Sequence, residues 1–433
     1  MNYKQTIEYL YTQLPMFSRI GPAAYKKDIH NTIELCDALK NPQNKFKSIH
    51  IAGTNGKGST SHMLAAILQQ AGYKTGLYTS PHIKDFGERI RIDGKMIDQN
   101  FVIAFAEKTK TICSKIEPSF FELTVAMAFE YFASEKVDIA VIETGLGGRL
   151  DSTNIISPIL SIITNIGLDH TNLLGNTISE ITQEKAGIIK LNTPVIIGES
   201  TTETSPIFEE KSAEMGTTAI YADNIITIES VEMNNNHLQC RCHNKIEKTT
   251  ELIYLDLTGA YQIKNLKTVL AATSILNKVG FNITPGHKKN ALSKVKKLTG
   301  FKGRWEVIAE NPLLILDVAH NKDGIQSVVN QLQEQYPNSH LHIVVGFVND
   351  KDISGILDLL PKNASYYFTN AHIERALPFE ILKLKAEEKN LMGEGYDNVN
   401  DAIYAAKSNA EKKDVILVCG SFFILSEIDE NQL

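Results

Sequence analysis

Ser48-Ile49-His50-Ile51-Ala52-Gly53-Thr54-Asn55-Gly56-Lys57-Gly58-Ser59-Thr60 runs from an apolar strand into a glycine-rich turn, and a helical pattern from Ser61 to Ala71 follows it. A strand that breaks into glycines and then into a helix presents backbone N–H groups at a helix N-terminus. There both hydrogen bonds and the macrodipole favour phosphate oxygens. Lys57 adds a point charge for the terminal phosphates. The spacing departs from the usual G-x-x-x-x-G-K-[ST] loop, because the first gap is shorter and Gly58 separates the lysine from Ser59 and Thr60. Gly53 to Thr60 is therefore expected to cradle a nucleotide's phosphates.

Apolar runs that close on polar residues extend the pattern outward. In open parallel sheets, ligands sit beyond the carboxyl ends of the strands. Thr75 to Tyr78 ends in Thr79-Ser80-Pro81-His82, and Val137 to Ile142 ends in Glu143-Thr144-Gly145. Ile159 to Ile163 ends in Thr164-Asn165, followed by Asp169-His170. All four ends, counting the glycine loop, should line one edge of one sheet. Ser80, Glu143 and His170 would then converge near the phosphate loop, and a hydroxyl, a carboxylate and an imidazole suit Mg²⁺ or Mn²⁺ bridging a nucleotide.

The chain's 433 residues exceed what one hydrophobic core usually serves, so two domains are expected. A net charge of −6 argues against a nucleic-acid partner but leaves room for an anionic small substrate. Val415 to Leu425 is too short to span a bilayer, and the start Met1 to Gln5 leads into an amphipathic segment, so neither membrane span nor targeting peptide is expected. Five sparse cysteines fit reduced thiols in the cytoplasm. Cys240-Arg241-Cys242-His243 lacks a second ligand pair and reads as a polar strand or hairpin.

Thr177-Ile178-Ser179-Glu180 has the form of a capping box opening a short helix that carries Glu184-Lys185-Ala186-Gly187-Ile188. Residues from Val195 to Leu257 read as a looser region, with Asn234-Asn235-Asn236 as a turn signal. Gly259 to Asn265 opens a helix to Lys278, with Asn265 in its first turns. The strand–helix rhythm then resumes on a smaller scale, with strands at 313–316, 342–345, 366–368 and 415–418 and helices at 325–335 and 402–406. The expected fold is α/β: a P-loop-type, mostly parallel sheet in an N-terminal domain, 1–298, and a smaller Rossmann-like C-terminal domain, 299–433.

Together these segments resemble the folylpolyglutamate synthase and dihydrofolate synthase family, ATP-dependent amide ligases related to the Mur peptidoglycan ligases. The resemblance runs nearly end to end. It is carried by Leu14 to Phe17, Gly53 to Thr60, Thr79 to His82 with Glu88-Arg89-Ile90, Glu143 to Asn154, Asp169 to Thr171, Glu184 to Ile188, Gly303 to Glu306 and Asp317 to Asn321. It implies ATP phosphates on Gly53, Thr54, Asn55, Gly56, Lys57, Gly58, Ser59 and Thr60, and nucleotide contacts from Asn265, Arg304 and Asp317. It implies Mg²⁺ in two sites, held by Ser80, Glu143, His170 and a carbamylated Lys185. A neutral amine is what captures CO₂, so Lys185 needs surroundings that lower its pKa.

The same resemblance places the pterin on Phe121 and Glu122 and on Asp151 and Ser152, and further substrate contacts on Arg89 and Ser421. An aromatic face and a carboxylate are what a flat amino-substituted heterocycle needs. Ser152 stands where alanine is frequent, and its hydroxyl is expected to find a turn partner; Tyr261 stands where relatives commonly carry histidine. The implied reaction activates a pterin-linked carboxylate as an acyl phosphate and joins it to L-glutamate, in folate biosynthesis and one-carbon metabolism. Lys57 and Lys185 would stabilise charge, and Arg304 and His320 would serve the acyl phosphate and the incoming glutamate. Dihydropteroate and folates are the expected acid substrates, and a monomer is expected. Two alternatives are a Mur-type peptidoglycan ligase, for which the loop begins too near the N-terminus, and a nucleotide-hydrolysing switch, which gives Asp317, His320 and Ser421 no role.

Overall fold

The computed structural model describes residues 1–16, 21, 28–234, 236–349 and 351–430. Phe17 and Asn235, both used in the sequence reading, lie outside them. The chain forms two compact units, the first comprising Met1–Leu257 and Gln262–Phe301 and the second Thr258–Tyr261 and Lys302–Leu433. The division thus falls after Phe301 instead of residue 298, and four residues before it belong with the second unit. No helix among the described residues is long and apolar enough to cross a membrane.

The first unit is built on eight strands, β1 (Lys47–Ala52), β2 (Thr75–Tyr78), β3 (Ile90–Ile92), β4 (Lys95–Met96), β5 (Ile139–Glu143), β6 (Leu160–Ile163), β7 (Val195–Ile197) and β8 (Ala219–Tyr221). Their order is β4-β3-β2-β5-β1-β6-β7-β8. The four strands whose polar ends were singled out, β2, β5, β1 and β6, are consecutive and mutually parallel. Their carboxyl ends therefore share one edge. Alternation decides what each face buries. Ile139 and Val141 of β5 join one core and Ala140 and Ile142 the other.

Five helices of this unit matter below: α1 (Tyr3–Gln13), α2 (Lys57–Gln70), α3 (Phe120–Ser134), α4 (Ile178–Ala186) and α5 (Gln262–Lys278). Helix α2 begins at Lys57, earlier than the periodicity from Ser61 suggested, so Lys57, Gly58, Ser59 and Thr60 form its first turn. The helix stays buried from Ser59 to Leu68 against the core that takes Ile49, Ile51 and Val141.

The stretch read as loose carries a three-stranded antiparallel sheet, β9 (Ile226–Asn234), β10 (His237–Asn244) and β11 (Thr249–Leu255). The Cys240 to His243 segment is part of β10, as the strand reading held. Cys240 and Cys242 are buried on one face while Arg241 is exposed, and both are free thiols.

The second unit is a six-stranded sheet ordered β12-β13-β17-β14-β15-β16. Its strands are β12 (Glu306–Glu310), β13 (Leu313–Leu316), β14 (Leu341–Val345), β15 (Ala364–Thr369), β16 (Gly393–Tyr396) and β17 (Val415–Cys419). All neighbours pair in parallel except β12 with β13. Strands β12 and β16 flank the four read from the sequence.

Candidate active site

At the edge where β1 ends, the backbone turns through Gly53 at φ +153° and Gly56 at φ +83° before α2 begins. A side chain at 56 would put Cβ 2.2 Å from Asn265 Oδ1, so only glycine lets the loop lie against the first turn of α5. Gly56 caps α2 without any side-chain hydrogen bond, which leaves the helix N-terminus to its own N–H groups. The end of β6 straps the loop in place. Asn165 accepts Asn55 N at 2.8 Å and Thr54 N through its carbonyl at 2.9 Å, while Thr164 Oγ1 donates to Asn55 O at 2.6 Å. The sequence reading gave Thr164 and Asn165 no role; their position at a strand end beside β1 was the signal.

Two lysines meet on one atom. Lys57 Nζ donates to Gly53 O at 3.0 Å and to Thr54 O at 3.2 Å, and Lys185 Nζ donates to Gly53 O at 2.9 Å. Lys185 is buried, and burial together with the neighbouring Lys57 pushes its amine down to about 7, against the opposing pull of Asp169 and Asp151. Close helix–loop packing holds it there. A Cβ at Gly148 would come within 2.9 Å of Lys185 O, and one at Gly187 within 2.5 Å of Arg149 Cα. Arg149 also pairs with Glu184 at 2.6 Å.

Glu143 is the last residue of β5 and is buried; its Oε2 accepts Ser80 N at 3.4 Å. A Cβ at Gly58 would sit 3.7 Å from the same oxygen, so the carboxylate faces the first turn of α2 across a glycine. His170 adopts φ +50° and is held by Asp169, with Nε2 3.9 Å from Oδ2. Among the described residues no three His, Cys, Asp or Glu side chains form a ready metal cluster. Of the three expected ligands, Glu143 faces the loop and is joined by Ser80 N, while His170 contacts Asp169; hydroxyl, carboxylate and imidazole donors suit a hard divalent ion.

Of the four residues assigned to the pterin, Glu122 and Asp151 are engaged in hydrogen bonds and Phe121 and Ser152 are not. Phe121 is partly exposed and lies over Gly145, where a Cβ would meet its ring at 2.3 Å, with Tyr78 6.1 Å away between centroids. It forms a platform. Glu122 instead completes a capping box: its Oε2 accepts Ser119 N at 2.6 Å while Ser119 Oγ accepts Glu122 N at 3.3 Å. Asn31 Nδ2 donates to the same oxygen, and only the buried Oε1 lacks a partner. Glu122 thus first serves the start of α3. Asp151 organises its own loop, accepting Leu146 N at 2.7 Å on Oδ2 and both Thr153 N and Thr153 Oγ1 on Oδ1. The buried His50 continues this chain, Nε2 lying 2.8 Å from Thr153 Oγ1. Ser152 differs from expectation: its hydroxyl makes no hydrogen bond among the described residues, because Asp151 already satisfies this turn's N–H at Thr153.

Beside Ser80, the buried Arg89 follows the end of β2 in register, its carbonyl accepting Thr79 N at 3.0 Å. Its Nε donates to His82 Nδ1 at 2.7 Å and its guanidinium lies 5.3 Å over the Phe120 ring. Burial and Arg89 together push His82 down to about 2.

In the second unit, Asp317 closes β13 and is buried, and burial raises its carboxyl above the usual range. Three donors hold it: Tyr261 OH at 2.6 Å and Trp305 N at 2.8 Å on Oδ2, and Ala319 N at 2.8 Å on Oδ1. Arg304 lies 4.9 Å over the Phe422 ring, and His320 meets the same ring at 6.1 Å. His320 Nδ1 is 2.8 Å from Val318 O, and since a carbonyl only accepts, Nδ1 carries a proton and donates. Ser421 caps the following helix through Ile424 N at 3.2 Å. Sequence reasoning missed Phe422 and the grip of Tyr261 on Asp317.

A profile described as the Mur ligase middle domain matches residues 51–273, and one described as the Mur ligase glutamate ligase domain matches 303–422. The folylpolyglutamate synthase of Lacticaseibacillus casei is 30% identical over 100% of this chain and 99% of its own length. The dihydrofolate synthase/folylpolyglutamate synthase of Bacillus subtilis is 32% identical over 91% of this chain and 92% of its own. The chain belongs to the folylpolyglutamate synthase/dihydrofolate synthase family. A probable bifunctional folylpolyglutamate synthase/dihydropteroate synthase of Haloferax volcanii is 31% identical, but this chain spans only 50% of its length. Among solved structures of the family, Escherichia coli FolC in complex with DHPP and ADP superposes with TM-score 0.84 at 27% identity, over 98% of this chain and 96% of that one. The Yersinia pestis bifunctional enzyme, complexed with AMPPNP and a Mn ion, gives TM-score 0.81 at 29% identity, over 98% of this chain and 97% of that one.

Proposed function

We propose that this family member joins L-glutamate to dihydropteroate and to folates at the expense of ATP, and that the nucleotide's phosphates bind where Lys57 and Lys185 converge on Gly53 O. That convergence carries the reading. Two amines on one carbonyl, beside the N-terminus of α2, bring N–H donors to one place where a polyphosphate would be favoured. Lys57 would turn from the two carbonyls to the terminal phosphate. Ser80, Glu143 and His170 would hold Mg²⁺, which when bound supplies charge neutralisation for phosphoryl transfer. Lys185, part of it neutral near pH 7, would attack CO₂ through the lone pair of that form, lose a proton to solvent and present a carbamate oxygen to a second ion.

The acid substrate would stack on Phe121, with Asp151 and Glu122 Oε1 as acceptors for the pterin's amino hydrogens and Arg89 turned to its carboxylate. Asn265 would bound the nucleotide. We assign Arg304 and Asp317 to the nucleotide and acyl phosphate, and Ser421 to the substrate. His320 would serve the incoming glutamate, taking the proton released as its amine attacks the activated carbonyl. The relatives that match end to end carry folate names, which favours this reading over a peptidoglycan ligase. The second unit's cluster on Phe422 favours it over a nucleotide switch.

Purified protein with ATP, Mg²⁺ and L-glutamate should form dihydrofolate from dihydropteroate and should also extend tetrahydrofolate. Phosphate release should require both the acid and glutamate. Extension of tetrahydrofolate without use of dihydropteroate would make it a polyglutamate synthase alone, and phosphate release indifferent to both substrates would restore the switch.

A further inference from the structure

Arg89 is 5% exposed, and the groups that favour its charge, Tyr78, Tyr11 and Glu143, include no carboxylate paired directly with it among the described residues. A buried guanidinium without a contacting carboxylate is costly, and its planar fork suits one. What holds it in place is a short relay. Arginine can only donate, so the 2.7 Å contact from Arg89 Nε makes His82 Nδ1 an acceptor. The imidazole proton must then sit on Nε2, which is 3.1 Å from Tyr11 OH, so the ring donates to the phenol oxygen of α1. Aromatic rings enclose both groups. Tyr11 stacks on His82 at 6.2 Å and 10°, and Phe120 lies 5.5 Å from Tyr11 beneath the guanidinium. A second tyrosine of the same helix, Tyr3, donates to Asp85 Oδ1 at 3.0 Å, and Asp85 caps the turn that carries Arg89.

We infer that His82 and Tyr11 are positioning residues for the acid substrate: α1 clamps the 82–89 turn, Tyr11 fixes the tautomer of His82, and His82 aims Arg89 at the carboxylate to be activated. This rests on the reading above that a pterin-linked carboxylate is the acid substrate. Neither residue touches that substrate. Their effect passes through one hydrogen bond to a charged group.

The test measures KM separately for dihydropteroate, ATP and L-glutamate, with calorimetric binding of dihydropteroate beside it. His82→Ala should raise the dihydropteroate KM and Kd by about 10- to 100-fold, the range for a hydrogen bond to a charged group, and leave the other two KM values within about twofold. His82→Asn returns an acceptor oxygen at the Nδ1 position and should recover most of the loss. Tyr11→Phe should cost about two- to fivefold in the native background and nothing further in His82→Asn, where its link is already cut. The inference falls if His82→Asn is as impaired as His82→Ala, if all three KM values rise together, or if Tyr11→Phe acts additively. Wild-type protein that binds no dihydropteroate overturns the substrate reading with it, whereas tight wild-type binding unchanged in His82→Ala overturns the relay alone.

Discussion

The phosphate loop of the first unit and the 303–320 region of the second both end parallel strands in charged residues, yet they treat that charge in opposite ways. At the loop, Lys57 and Lys185 share one carbonyl and each disfavours charge on the other, so two amines gather on a single backbone oxygen. In the second unit, Asp317 is enclosed by three donors from Tyr261, Trp305 and Ala319. Strand-end charge is a reservoir in one place and a structural tie in the other. Loss of a reservoir residue should therefore be read in turnover, and loss of the tie in stability.

The largest effect expected is at the residues proposed to hold Mg²⁺. Glu143→Ala and His170→Ala should each lower kcat by about a thousandfold, since several kcal/mol of charge stabilisation would reside in the ion they are proposed to hold. Alanine at the left-handed His170 adds about 1 kcal/mol of strain, visible in thermal unfolding but not enough to unfold the protein. Steady-state kinetics across Mg²⁺ concentration check this, and normal Mg²⁺ dependence in both variants would break the comparison at its reservoir side.

Next comes Lys185→Ala, expected to cost about a hundredfold in kcat and to be partly restored by added short carboxylic acids. Because the folded amine titrates near 7 and an unfolded lysine near 10.5, the unfolded chain binds the extra proton between those values, and stability gained from the neutral amine rises with pH through that window. The reactive neutral form of the folded amine grows as pH rises through about 7. Labelling with ¹³CO₂ should give a carbamate signal that strengthens from pH 6 to 8 in wild type and is absent in Lys185→Ala; an unmodified amine at pH 8 would contradict it.

On the tie side, Asp317→Ala should destabilise the protein by about 3 kcal/mol, because three buried donors lose their acceptor, and Tyr261→Phe by about 1–2 kcal/mol. Denaturant melts give both numbers. If either variant kept full stability while losing ATP affinity, the two regions would be alike after all.

The smallest effect separates neighbours. Ser152→Ala should change dihydropteroate turnover by less than about twofold, since its hydroxyl is unbonded, while Asp151→Ala should lose that step outright by loosening the loop. Product analysis on dihydropteroate decides the order.

Much of this site was legible because apolar runs closing on polar residues locate strand ends, and β1, β2, β5 and β6 lie side by side. The helix from Thr177 announced itself through its capping box, and the structure forms it. The same kind of capping box, here Ser-x-x-Glu, stands at Ser119 to Glu122. There the family resemblance drew attention to the pterin and away from the cap. Strands β9 to β11 were obscured by composition: β9 is exposed from Glu229 to Asn234, so it lacks the alternation that marks a half-buried strand. The attachment of Thr258 to Tyr261 to the second unit was not legible, because it depends on contacts more than fifty residues away, from Gln331 and Asp317.

That small patch makes the chain cross between its units three times, after residues 257, 261 and 301. A gene divided at the codon for Lys302 would yield a second half stripped of Tyr261 and of the two backbone groups that Gln331 holds. Complementation from two separately expressed halves should then fail unless the later half also carries a copy of residues 258–261, which makes split-protein assembly a genetic readout of where one unit ends.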